Sequence, residues 1–323
     1  MRAVSVQARA LRPTGENLSV TRTPRTLPRT APRSGAVLAA VLCCALAACG
    51  GSGGSHAAET SSGARGSRAA SPAVSPSPSA APAAPTLPPA PGGAVPVFSH
   101  GSRDGGKRVA LTFDADMTAD QGPRAARGEH FDNPGLVETL RRLKVPATVF
   151  MTGRWAEQYP DQARSIGADP LFEVANHSYS HHAFSTPCYG LPAVPRGGAR
   201  ADVERAFAVF RRAGVERVVP YFRFPGGCHD ATVLRELGPT KVTAVQWDVV
   251  SGDAFAKQAG PVAAQVLSQV KPGSVVVMHC TRSAAPTTQE AVERVVPELR
   301  ARGYEFVRVS DLVGAGAHQP GTP

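Results

Sequence analysis

A single α/β domain, built as a barrel or a distorted (β/α) barrel of about seven strands, is the fold class predicted here. Three observations carry that prediction. The aromatic and β-branched residues a core needs begin only near Val95, which leaves roughly 220 residues, enough for one well-buried domain. From Lys107 onward short apolar runs alternate with amphipathic helical stretches, the pattern of a parallel sheet with crossover helices. Polar clusters follow the apolar runs, where parallel barrels gather their chemistry.

Taken in order, 109–113 (VALTF) reads as the first strand. Asn133 and Pro134 offer an N-cap and an N1 proline, and Leu136, Leu140 and Leu143 mark one helical face. Residues 147–151 read as a strand, 155–166 as a helix, and 172–175 as a strand leading into a histidine-rich turn. Residues 202–213 are amphipathic, with Val203, Ala206, Phe207 and Phe210 on one side. Further strands are expected over 221–224, 242–250, 274–278 and 305–309, with helices over 261–270 and 288–302.

The residues ahead of the domain are of another kind. An apolar run of 13 residues, 36–48 (AVLAAVLCCALAA), follows an arginine-rich stretch. It is too short for a spanning helix and fits the apolar region of an export signal. It ends Leu46-Ala47-Ala48-Cys49, which resembles a bacterial lipobox, so Cys49 is the expected lipidation site and the outer face of the cell membrane the expected location; a plain secretory signal is the alternative. Residues 49–93 are rich in Ala, Pro, Ser and Gly and are expected to be a disordered linker. The expected division is thus 1–48 signal, 49–93 linker and 94–323 folded domain. Setting aside the seven arginines and one acid ahead of the apolar run takes the net charge from +10 to +4. No basic stripe with interleaved aromatics remains, which argues against a nucleic-acid partner; a monomer is expected.

Five polar clusters carry the chemistry: Thr112-Phe113-Asp114-Ala115-Asp116, His177-Ser178-Tyr179-Ser180-His181, Arg223-Phe224-Pro225-Gly226-Gly227, the run from Trp247 to Asp253, and Val277-Met278-His279. Two histidines four apart on one turn can share a divalent cation, with a carboxylate completing the set and a position left for water. Each cluster alone is a weak signal; all five at strand ends of one α/β array are not.

In order and spacing these clusters resemble the polysaccharide deacetylase family (NodB-homology domain, carbohydrate esterase family 4) over roughly residues 107–313. The resemblance implies a distorted (β/α) barrel and metal-dependent hydrolysis of N-acetyl groups. It implies His177 and His181 as ligands of zinc or another divalent cation such as cobalt, with a carboxylate as third ligand. Asp114 would be the general base paired with Arg223, and His279 the general acid paired with Asp253. The backbone N–H of Gly226, at a family tyrosine position, would stabilise the oxyanion. The chain departs from the family at Ala115, where a metal-binding aspartate usually stands, and at Ala254, where a tryptophan is usual. Asp116 is the expected replacement ligand; otherwise the two histidines, water and substrate hold the metal.

Cys188 and Cys228 follow the histidine and arginine clusters, so both belong to loops around one mouth, and a disulfide between them is expected, with Cys280 free. His182 is read as lying behind the ligands or in solvent, while His130 and His229 sit in loops. Trp155 and Trp247 are read as core residues, and Tyr179 as facing the groove. The expected substrate is an acetylated cell-envelope polysaccharide, peptidoglycan first, with chitin and acetylated xylan as rivals. A non-catalytic glycan-binding lipoprotein that kept the fold is the alternative.

Overall fold

Strand–helix alternation governs the computed structural model, which describes residues 83–316. The expected signal, the Cys49 lipid site and most of the expected linker lie outside the described residues. In chain order the elements are β1 (Val97–Phe98), β2 (Arg108–Ala115), α1 (Gln121–Ala125), α2 (Pro134–Arg142), β3 (Ala147–Met151), α3 (Gly153–Gln158), α4 (Pro160–Ala168) and β4 (Phe172–Asn176). There follow α5 (Ala199–Ala213), β5 (Val218–Phe222), α6 (Ala231–Glu236), β6 (Thr243–Val245), β7 (Val249–Val250), α7 (Ala259–Gln269), β8 (Ser274–His279), α8 (Thr288–Ala301), β9 (Glu305–Phe306) and α9 (Val309–Gly316).

The strands form one sheet in the order β1-β6-β5-β4-β3-β2-β8-β7, with β9 also on β2, and every pair is parallel. The expected strand over 242–250 is interrupted. Its first part, β6, pairs with β5, and its second, β7, pairs with β8. The carboxylate of Asp248 causes the break: Oδ1 accepts the N–H of Val275 (2.7 Å) and Oδ2 the hydroxyl of Ser274 (2.8 Å), taking places a strand backbone would fill. One bent run of chain thereby lies beside both β5 and β8, and β2-β3-β4-β5-β6/β7-β8 make an incomplete ring, the distorted (β/α) barrel expected.

Strand periodicity decides what faces the site. On β2, Val109, Leu111, Phe113 and Ala115 are buried with the apolar faces of α2, α5, α7 and α8. Ala110 points the other way, into a second cluster with Phe150, Ala175, Tyr221, Val245 and Val275 inside the ring. Thr112 and Asp114 share that inner face, so the strand delivers Asp114 to the ring's mouth.

Helix boundaries follow local chemistry. Asn133 caps α2 as expected, its Oδ1 accepting the N–H of Leu136 at 3.1 Å. The helix expected over 155–166 is two: Pro160 cannot continue α3, so the chain breaks at Tyr159 and restarts as α4. Gly214 ends α5 in the left-handed conformation, at φ 70°. The linker expectation is corrected at its end. Ala84 and Leu87 pack on the inner cluster, and the Tyr221 hydroxyl donates to the carbonyl of Pro85 at 2.6 Å.

Candidate active site

Asp114 ends the inward-facing row of β2, in register with His279 at the end of β8. Between them runs a hydrogen bond from the Cys280 N–H to the Asp114 carbonyl, 2.7 Å. Two residues beyond Asp114, Asp116 returns to the same side, while Ala115 between them is buried in the outer layer. Thr281 secures Asp116 twice: its hydroxyl donates to Oδ1, and its Oγ1 accepts the Asp116 N–H. The carboxylate shift from position 115 to 116 therefore keeps an acid facing the histidines.

The histidine turn leaves β4 through two residues with left-handed backbone, Ser178 (φ 70°) and His181 (φ 58°), a conformation non-glycine residues keep only where surroundings impose it. Asn176 Oδ1 accepts the Ser178 N–H, and Ser178 Oγ accepts the His181 N–H. Asp202 on α5 accepts the N–H groups of Tyr179 and Ser180. The result brings the two imidazoles together with ring centroids 5.1 Å apart. His177 Nε2 lies 3.6 Å from Asp114 Oδ2, and His181 Nε2 lies 3.6 Å from Asp116 Oδ2.

Arg223, fully buried just past β5, is satisfied at three nitrogens. Nη1 donates to Asp114 Oδ1 (2.7 Å), and Nε and Nη2 donate to the carbonyls of Val245 and Gln246. Its guanidinium lies 3.9 Å from the centre of the Phe150 ring. Its own carbonyl accepts from His177 Nδ1 at 3.0 Å, which leaves His177 Nε2 as the free lone pair.

On the other flank Asp253 holds His279. Oδ1 accepts from His279 Nδ1 at 2.8 Å and from the Ser251 hydroxyl; Oδ2 accepts the His279 N–H and the Thr288 hydroxyl. Burial works against a charge on His279, but the Asp253 carboxylate, with Asp116 and Asp114 adding to it, pushes the imidazole up to about 10. His177 moves oppositely: burial drives it down to about 4, and the Asp114 carboxylate only partly offsets this. Burial opposes ionisation of Asp116 also, yet His181, His279 and the Thr281 hydroxyl together hold it below the usual carboxylate range. The site thus holds a protonated histidine, a neutral one and an ionised aspartate side by side.

These groups open into a cavity of about 310 Å³, lined also by Gly226, Trp247, Tyr189, Val250 and Phe255. A larger cavity of about 390 Å³, lined by Arg108, Glu305 and Asp311 among others, holds none of them. Of the residues expected from the sequence, Asp114, Asp116, His177, His181, Gly226 and His279 line the smaller one, while Arg223 and Asp253 are buried behind it, bonded to Asp114 and His279.

The chain matches the family model described as polysaccharide deacetylase over residues 101–245. It is 30% identical to a chitooligosaccharide deacetylase of Sinorhizobium fredii over 217 residues, covering 63% of this chain and 90% of that protein. This chain belongs to the polysaccharide deacetylase family. Another relative, the peptidoglycan-N-acetylglucosamine deacetylase PgdA of Listeria monocytogenes, is 28% identical over 216 residues, covering 64% of this chain. The match spans only 39% of that relative's length. Among solved family structures, the family 4 carbohydrate esterase from Streptomyces lividans in complex with acetate has a TM-score of 0.50 and 26% identity, covering 62% of this chain and 92% of that one. A mutant of a CE4 family pseudoenzyme with restored activity has a TM-score of 0.54 and 25% identity, covering 71% and 73%.

Several expectations about neighbouring residues need correction. Trp155 is core, its indole N–H donating to the Phe131 carbonyl, but Trp247 lines the cavity. Tyr179 does not face the groove: its ring packs under Arg205 and its hydroxyl donates to Glu157. The Cys188–Cys228 disulfide is formed and Cys280 is free and buried. Burial, then Asp132 and Asp116, push that thiol up to about 12, so it stays protonated and is no nucleophile. The sequence reading missed Thr281, Thr288 and Ser251, which hold the two carboxylates. Their signal was slight: hydroxyl residues within two or three positions of a catalytic cluster, or on the helix after it.

Proposed function

We propose that this chain is an exported, metal-dependent deacetylase that hydrolyses N-acetyl groups of a cell-envelope polysaccharide, peptidoglycan first and chitin-type polymers second. The observation that carries the reading is the pair of ion pairs at one cavity. Arg223 holds Asp114 where it can take a proton, and Asp253 keeps His279 charged so that it can give one. The relatives named for peptidoglycan and chitooligosaccharide deacetylation support the substrate class.

Deacetylases of this family are generally metal-dependent. Among the described residues no group of three His, Cys, Asp or Glu side chains is gathered closely enough to hold a metal ion. The chemistry of the donors nearest one another, Asp116, His177 and His181, nonetheless suits a divalent cation. His177 is neutral with Nε2 free, His181 is shifted the same way by burial, and Asp116 is ionised beside it. Asp116, His177 and His181 would hold zinc or a similar ion, which when bound supplies polarisation of the acetamide carbonyl and a more acidic water. The chain's own groups then act in turn. Asp114 takes a proton from the attacking water, and the Gly226 N–H steadies the developing oxyanion. His279 protonates the amine nitrogen as the carbon–nitrogen bond breaks, leaving acetate and a free amine.

The test is acetate release by the purified chain from peptidoglycan and from chitin oligomers, with zinc, with chelator and with Asp114→Asn. Zinc-dependent release lost in the variant is the expected result. A second reading, a glycan-binding protein without turnover, takes its support from Ala115; release from neither polymer by folded, zinc-supplied protein would favour it, or a different acetylated glycan as substrate, over the first. Attachment to the outer face of the membrane through Cys49 is tested by whether Cys49→Ala moves the protein from the membrane fraction into the medium.

A further inference from the structure

Among the described residues four large hydrophobic side chains are exposed, and three of them, Tyr189, Val250 and Phe255, stand on the rim of the catalytic cavity. Single exposed apolar residues mean little; their gathering at one mouth marks a binding surface. Tyr189 is 81% exposed and Phe255 84%, so neither ring has a packing role to explain it. They come from different loops, one after β4 and one after β7. Aromatic faces bind the apolar faces of pyranose rings, and this rim is continuous with a site whose chemistry is suited to an acetamido sugar.

Tyr189 is also held in place. Its neighbour Cys188 is bridged to Cys228, across 40 residues of chain. Tyr189 itself has left-handed backbone, at φ 47°, and Gly190 follows at φ 74°, so the loop tip is held in a shape that its surroundings impose. Gly226 shows what imposes it. A Cβ there would fall 2.6 Å from Cys188 Sγ and 3.1 Å from the Tyr189 ring. Gly226 has no side chain, and the bridged loop lies directly against its backbone.

We infer that Tyr189 and Phe255 are stacking contacts for the sugars on either side of the reacting residue, and that the Cys188–Cys228 bridge is what positions Tyr189. The ligand is a neutral run of β-linked N-acetylhexosamines longer than two units. The inference rests on the deacetylase reading for the sugar class alone, because stacking needs no turnover.

The test is calorimetric titration of full-length protein in the non-hydrolysing Asp114→Asn background, with N-acetylchitopentaose and with diacetylchitobiose. Tyr189→Ala and Phe255→Ala should each weaken the pentaose about tenfold and the disaccharide much less. Tyr189→Phe should keep the parent affinity, since the ring and not the hydroxyl makes the contact. Cys188→Ser should match Tyr189→Ala, with little further loss in the double variant. Pentaose affinity within twofold of the parent in both alanine variants would overturn the inference, as would no pentaose binding by the parent. Ring-dependent binding by a chain that releases no acetate would sink the deacetylase reading and leave this one standing.

Discussion

Replacing Asp253 by Asn should remove the alkaline half of the rate profile. His279 sits at about 10, because the Asp253 carboxylate, at 2.8 Å, outweighs the burial that opposes its charge. Asparagine keeps the size and one accepting oxygen but not the charge, so His279 should fall towards its ordinary 6.5. At pH 8 a group of pKa 10 is about 99% protonated and one of 6.5 about 3%, so the acid form falls about thirtyfold; at pH 6 the two proteins differ by less than about twofold. The assay is kcat for acetate release from chitin oligomers between pH 5.5 and 10. Stability supplies an independent reading of the same shift. A histidine raised on folding contributes stability that is complete below 6.5 and lost as pH rises towards 10. The parent's Tm should therefore decline across that window and the variant's much less. An unchanged alkaline limb in a folded Asp253→Asn variant would refute the assignment of His279 as the acid.

Other consequences are as open to measurement. Ala115→Asp puts a carboxylate into the apolar layer under the helices, not into the site; it should cost about 2–5 kcal/mol in denaturant unfolding without raising activity. A gain in activity at unchanged stability would remove Asp116 from the ligand set. Thr281→Val deletes the hydroxyl that orients Asp116 and should weaken zinc binding about 10- to 100-fold by competition titration; parent-like affinity would show that Asp116 is not a ligand. Cys188→Ser should lower unfolding free energy by about 4 kcal/mol, the chain-entropy value for a loop of this length, and an unchanged denaturation midpoint would count against a bridge in the purified protein.

The parts of this fold legible from sequence were those set by local rules. Strand alternation on β2 put Asp114 inward, and Asn133-Pro134 announced α2, because each depends on residues a few positions apart. The break between β6 and β7 was not legible, since Asp248 acts on β8, a strand 26 residues later in the chain. Asp116 was the expected replacement for the aspartate missing at Ala115, but its direction was not legible, because a single sequence does not say where a strand's pleat resumes after its last ladder bond. Thr281, supplied by a loop more than a hundred residues away, resolves that. Tyr189 was invisible for the same reason: only the bridge and the bare Gly226 give the ring its place. Pro160 was a local signal that the helical pattern over 155–166 masked.

Arg223 touches more of this molecule than its role as a charge partner requires. Its side chain reaches Asp114 on β2 and the carbonyls that end β6, and its backbone fastens to the ends of β4 and to His177. A lysine there would keep the charge but not a fork able to serve three acceptors. The chain is thus built in two zones of unequal freedom. Exchanging Arg223 would disturb β2, β4 and β6 at once, whereas the side chains of Tyr189, Val250 and Phe255 project from the rim into solvent. Substitutions at the rim can therefore change what the mouth accepts while the two charge pairs beneath it stay in place.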